Sequence, residues 1–154
     1  MAALVRYAIA TALQTAVRLC NGTGDYHFDL SSVSRVVIGR PDATAPVRQL
    51  MVHLYPISLT GDTARTLSNF APTFTFALEV FAPAANGSPA GRVEALCKAM
   101  ADLDRALAAD RGLGGLVHDV SPVVWTDLRD DPDELRPLPW ALGEVSVTWE
   151  EVRS

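Results

Sequence analysis

Two cysteines in 154 residues leave little scope for cysteine chemistry. Neither Cys20 nor Cys97 has a second Cys or a His at a zinc-ligand spacing, which argues against a structural zinc site. Both fall in helical patterns, where the expected role is a small buried hydrophobe and a disulfide is the lesser alternative. Basic residues are few and scattered, with 13 Lys and Arg against 18 Asp and Glu and a net charge of -5. A general nucleic-acid binder needs clustered cations to neutralise phosphates, so that class is set aside. No run reaches the roughly 20 apolar residues of a membrane span. The Ala-rich first twenty residues are broken by Arg6, Gln14 and Arg18, and so lack the uninterrupted apolar segment of a signal peptide. A soluble, intracellular protein with no membrane partner is expected.

Familiar catalytic patterns are also missing: there is no HExxH, no nucleophile elbow and no phosphate-cradling glycine loop. Gly112-Leu113-Gly114-Gly115 follows a helix instead of joining a strand to a helix start, so its role reads as structural. His27, His53 and His118 each sit among apolar residues in strand-like patterns and read as half-buried or surface strand histidines. His118 and Asp119, adjacent on a strand, point to opposite faces and form no dyad without a bulge. The acidic group Asp127, Asp130, Asp131, Asp133 and Glu134 lacks the order of ligands and the glycine of an EF-hand, and reads as a solvated loop. Asn21-Gly22-Thr23 and Asn86-Gly87-Ser88 read as turns. No catalytic residue, cofactor or metal ligand is expected.

What is present is a hydrophobic fraction of 49%, enough for one domain over residues 1–154 that closes its core unaided, with apolar surface left for self-association. The strongest signal spans Ser88 to Val117. Val93, Leu96, Met100, Leu103 and Leu107 form one helical stripe, Ser88 caps its start with Pro89 at the first position, and Gly112 supplies a left-handed stop with Leu113 folding back. A first helix over Ala3 to Cys20 carries Val5, Ile9, Leu13, Ala16, Val17 and Cys20 on one face, with Arg6, Gln14, Thr15 and Arg18 facing away. Strands are expected at Tyr26–Leu30, Ser34–Gly39, Val47–Tyr55, Phe70–Phe81, Leu116–Val124 and Leu142–Val152. Val47–Tyr55 is fairly apolar on both faces, and Pro56 marks its end, a bulge or an edge. Ile57–Asn69 reads as a long hairpin loop and Thr126–Glu134 as a polar one. Helices separated by hairpin-spaced strands imply an α+β domain: a mostly antiparallel sheet with two main helices packed on one face.

The order of these features resembles the tail terminator, or tail-completion, proteins of long-tailed bacteriophages. The likeness runs from the leading helix through Gly24-Asp25-Tyr26-His27-Phe28-Asp29-Leu30 into Val36-Val37-Ile38-Gly39. It continues over two long strands, a second helix, the Leu113-Gly114-Gly115-Leu116 turn and the final Val145-Ser146-Val147-Thr148-Trp149. The resemblance implies a structural virion protein, assembled in the host cytoplasm, that forms a homo-oligomeric ring, expected to be a hexamer. Such a ring caps the tube of the major tail tube protein, ends its polymerisation and offers a surface to a neck or head-completion protein, while DNA passes through without sequence-specific binding. Closure requires two different complementary patches on each subunit. Within that reading Thr60, Asp62, Thr63, Arg65 and Thr66 are expected to reach a neighbour or the tube, and Asp127, Asp130 and Asp131 to face the channel or neck. The alternatives are a head-to-tail connector and, from another class, a small enzyme or ligand-binding domain, for which the sequence assembles no pocket of convergent polar groups.

Overall fold

The computed structural model describes residues 2–60, 69–70, 72–130, 137–149 and 151–152. Two helices, α1 (Ala2–Val17) and α2 (Pro89–Ala109), lie on one face of a six-stranded, mostly antiparallel sheet, the α+β arrangement expected from the sequence. Its strands are β1 (Val36–Ile38), β2 (Met51–Thr60), β4 (Thr73–Phe81), β5 (Asp119–Val120), β6 (Val124–Arg129) and β7 (Trp140–Thr148). β3 (Asn69–Phe70) and β8 (Glu151–Val152) pair separately. The lateral order is β1-β2-β4-β7, with β5 and β6 both flanking the outer side of β7, and only β1 and β2 run parallel.

The period of two along each strand sends Val52 and Leu54, Phe76, Leu78 and Val80, and Val145 and Val147 to the helix side, where they meet Ile9, Leu13, Val17, Leu96 and Leu103. Each such side chain, taken wholly out of water, contributes about 1.5–3 kcal/mol. Ser88 caps α2 as expected, its Oγ accepting the Gly91 N–H at 3.1 Å, and Pro89 follows it. Gly91 has no room for a Cβ, which would collide with the Asn86 carbonyl oxygen.

Several boundaries differ from the sequence expectation. α2 stops at Ala109 with Asp110 at its cap; Gly112 is not left-handed, and the positive φ falls on Leu113, Gly114 and Gly115. The Asp110 carboxylate and carbonyl accept the Gly114 and Leu113 N–H groups, so an acidic side chain organises this turn. The buried face of α2 includes Ala95, Ala99 and Ala106 and leaves Val93 exposed, because the side that meets α1 and the sheet is set by fit and not by side-chain size. α1 ends at Val17; Gln14 and Arg18 do not turn to solvent but donate to the Val36 carbonyl at 2.8 and 3.3 Å. Tyr26–Leu30 is not a strand. It is a loop bound by the buried Asp102 of α2, whose carboxylate accepts the His27 and Phe28 N–H groups at 3.0 and 2.8 Å. β2 begins at Met51 and runs through Pro56, with a bulge between Pro56 and Ser58, so Ile57–Thr60 are strand and not loop. Leu116–Val124 holds only the short β5, whereas Val124–Arg129, expected from Thr126 onward as acidic loop, is β6; an edge strand tolerates polar side chains because it shares a ladder on one side only. Cys20 is buried as expected, but Cys97 is exposed, and both are free thiols.

Candidate functional site

Among the described residues two lateral edges of the sheet are open, and they are unlike. On one side β1 covers β2 only from Val52 to Leu54. The outer edge of β1 is itself blocked: the carbonyl of Arg35, just before it, accepts the Val52 N–H of β2, so the next carbonyl, Val36, points outward and is taken by Gln14 and Arg18. Beyond Leu54, β2 continues with β4 on one side and, among the described residues, no strand on the side that β1 had covered. The same two-residue period that aims the Val52 N–H toward β1 aims the nitrogen of Pro56 at this open side, where its missing N–H costs nothing. Ile57 and Leu59 there are 40% and 41% exposed. At the opposite edge β6 pairs with β7 and with no other strand among the described residues, and presents Val124 and Leu128 at 61% and 53% exposure. A salt bridge within β6, Arg129 Nε to Asp127 Oδ2 at 3.5 Å, sets both signs of charge beside those apolar side chains.

The sheet face away from the helices is not bare either. His53 and Tyr55 of β2, Ala77, Glu79 and Phe81 of β4, and Trp140 of β7 share it through direct cross-strand pairs, and all are buried. Over them passes the 40–47 segment, leaving a cavity of about 510 Å³ lined by Arg40, Pro41, Tyr55, Glu79, Phe81 and Trp140 among others. Glu79 is 6% exposed; Tyr55 Oη donates to its Oε2 at 2.9 Å and Trp140 Nε1 to its Oε1 at 3.2 Å. No Lys, Arg or His side chain among the described residues forms an ion pair with it. Its cross-strand neighbour His53 directs Nδ1 at the Gly39 carbonyl, 3.1 Å away. The Arg40 guanidinium lies 4.4 Å over the Tyr55 ring, a cation–π contact at the mouth. At the rim the N–H and then the hydroxyl of Thr44 hold the Asp42 carboxyl below the usual carboxylate range. The polar side chains facing the cavity include the Glu79 and Asp42 carboxylates, the Tyr55 phenol and the Trp140 indole; among the described residues no Ser, Cys, Thr or Lys lines it to act as a nucleophile.

Of the residues singled out from the sequence, Thr60 is the exposed last residue of β2, at the first open edge. Asp62, Thr63, Arg65, Thr66 and Asp131 lie outside the described residues. Asp127 is on β6, not in a loop, and the Asp130 carbonyl accepts Arg92 Nε of α2 at 2.7 Å. Thr60 and the two aspartates thus stand at opposite edges. Asp119 binds Arg111 through both carboxylate oxygens at 3.1 Å, so it is engaged away from His118. Among the described residues no three His, Cys, Asp or Glu side chains converge as metal ligands, and no helix is long and apolar enough to cross a membrane. The buried Glu79 was not foreseen, although β2, apolar on both faces, carried its signal. No protein-family model matches the chain, and no curated protein matches it significantly.

Proposed function

We propose that this chain is a structural ring subunit of the tail-terminator type, a virion protein that caps a tail tube, stops its growth and presents a surface to the neck while DNA passes through. The observation that carries the reading is the pair of unlike open edges. A subunit whose β2 tip meets β6 of the next copy makes a head-to-tail contact, and such contacts close into a ring when the rotation permits. Strand addition satisfies the backbone groups of both edges and covers Ile57, Leu59, Val124 and Leu128 together. The resemblance in element order supplies the identity of the ring, a hexamer on the tube; a catalytic role gains no support from the residues lining the cavity.

The test mixes the purified chain with polymerising tail tube protein and measures tube length by negative-stain imaging, alongside light scattering of the chain alone. The expected result is tubes arrested at a short length with a ring at one end, and no arrest by Leu59→Arg or Leu128→Arg. Binding to portal or adaptor protein without any effect on tubes would transfer the protein to the connector class. A monomer that arrests nothing would remove the ring reading.

A further inference from the structure

We infer that the cavity beneath the 40–47 segment binds an organic cation, a guanidinium or primary ammonium on a short aliphatic stem, with its charge on Glu79. A buried carboxylate is expensive unless an opposite charge meets it, and the two groups bound to Glu79, a phenol and an indole, are neutral. Each oxygen of the carboxylate accepts one of these hydrogen bonds and has capacity for another. Arg40, which also lines the cavity, rests on the Tyr55 face without forming an ion pair with Glu79. Tyr55, Phe81 and Trp140 supply aromatic walls of the kind that attract cations, and Pro41, Val47 and Leu142 supply apolar contact for a stem. A hard metal ion fits poorly, since it needs several oxygen ligands and, among the described residues, Glu79 is the one buried carboxylate lining the space. The volume of about 510 Å³ lies within the range of small-molecule sites and exceeds what a bare ion requires. This inference does not depend on the ring reading, because the cavity opens on the sheet face and not at the β2 or β6 edge.

The experiment titrates the full chain with agmatine, which carries both cationic groups, near pH 8. Heat and the indole N–H resonance of Trp140, assigned with Trp140→Phe, are followed together. Saturable one-to-one binding that shifts this resonance is expected. Glu79→Gln, which keeps the side chain's shape and one carbonyl acceptor but removes its charge, should weaken binding by about tenfold or more, and uncharged butylurea should bind at least as weakly. Ala43→Trp, which fills the cavity without altering Glu79, should abolish binding and keeps the test decisive if Glu79→Gln does not fold. No shift of the Trp140 resonance up to about 10 mM agmatine, or equal affinity for butylurea, would overturn the proposal. Light scattering with and without agmatine separates the source: dissociation of an assembly places the cation on an Arg or Lys side chain of a second copy, and an unchanged mass with binding intact makes it a free small molecule.

Discussion

Asp102 is a buried polar residue that holds two backbone groups of a distant loop, and its replacement gives a sharp stability test. Its carboxylate is 1% exposed and accepts the His27 N–H at 3.0 Å from both oxygens and the Phe28 N–H at 2.8 Å, pinning a loop more than seventy positions away to the middle of α2. Hydrogen bonds to a charged group are worth about 1.5–3 kcal/mol each, so Asp102→Ala puts about 3–6 kcal/mol at risk. Part is returned because the buried carboxylate no longer bears its own desolvation, which brings the expected loss to about 4 kcal/mol. For a chain of this length each kcal/mol moves Tm by about 2–4 °C, so the melt should fall by about 8–16 °C. Asp102→Asn keeps one carbonyl acceptor but turns an NH2 toward a donor, and should lose about half as much. Urea denaturation gives the energies, and hydrogen exchange at His27 and Phe28 shows whether the loop is what was released. A loss below about 1 kcal/mol for Asp102→Ala, with those two amides still protected, would refute the reasoning.

Gly143→Ala should destabilise by about 1–3 kcal/mol in urea, since its Cβ would stand 2.6 Å from Val123 Cγ1 and 2.8 Å from Trp125 Cε3; adding Trp125→Ala should recover part of the loss, and simple additivity of the two would contradict direct overlap. Cys97 should react at once with an aromatic disulfide reagent and Cys20 only on unfolding, so prompt titration of both thiols would contradict the burial of Cys20. Burial, and secondarily the Asp102 charge, push the Cys20 thiol up to about 12 from 9.0, so the folded chain keeps a proton that the unfolded chain loses. Stability therefore falls as pH rises from about 9 to about 12, by up to about 1.4 kcal/mol per unit, and Cys20→Ala should lack this part of the slope.

The elements that were legible in the sequence are those whose period is enforced by one dry face. Phe76, Leu78 and Val80 alternate because β4 lies between β2 and β7 under the helices, and Val145, Val147 and Trp149 alternate for the same reason. Where the dominant interaction is a long-range hydrogen bond, local pattern misleads. Tyr26, Phe28 and Leu30 alternate like a strand, yet the His27 and Phe28 N–H groups that a ladder would use belong to Asp102. Gln14 and Arg18 read as a solvent face of α1, yet their carbonyl partners lie on the segment around β1. The α2 stop was displaced because Asp110 caps the turn through its side chain, leaving the left-handed geometry to Leu113, a non-glycine whose burial compensates the strain.

The candidate sites were legible to the same uneven degree. Thr60 was assigned to a loop but belongs to a strand edge: of the end, bulge or edge that Pro56 signalled, the structure has the bulge on an open edge, because β1 has already run out and a proline is tolerated where no ladder partner waits for its N–H. The Glu79 cavity failed for another reason. Thr73, Thr75, Ala77 and Glu79 look like an open polar face, and what buries Glu79 is a proline-bearing, strandless segment, 40–47, which a secondary-structure reading passes over. The clue lay across the ladder. His53, Tyr55 and Trp140 sit beside Glu79 and Phe81 on the face opposite the helices, and aromatic residues gathered there imply a second cover over the sheet. A single acid under such a cover is a costly thing to maintain without a cation to meet it, which is why the agmatine titration bears on function and not only on packing.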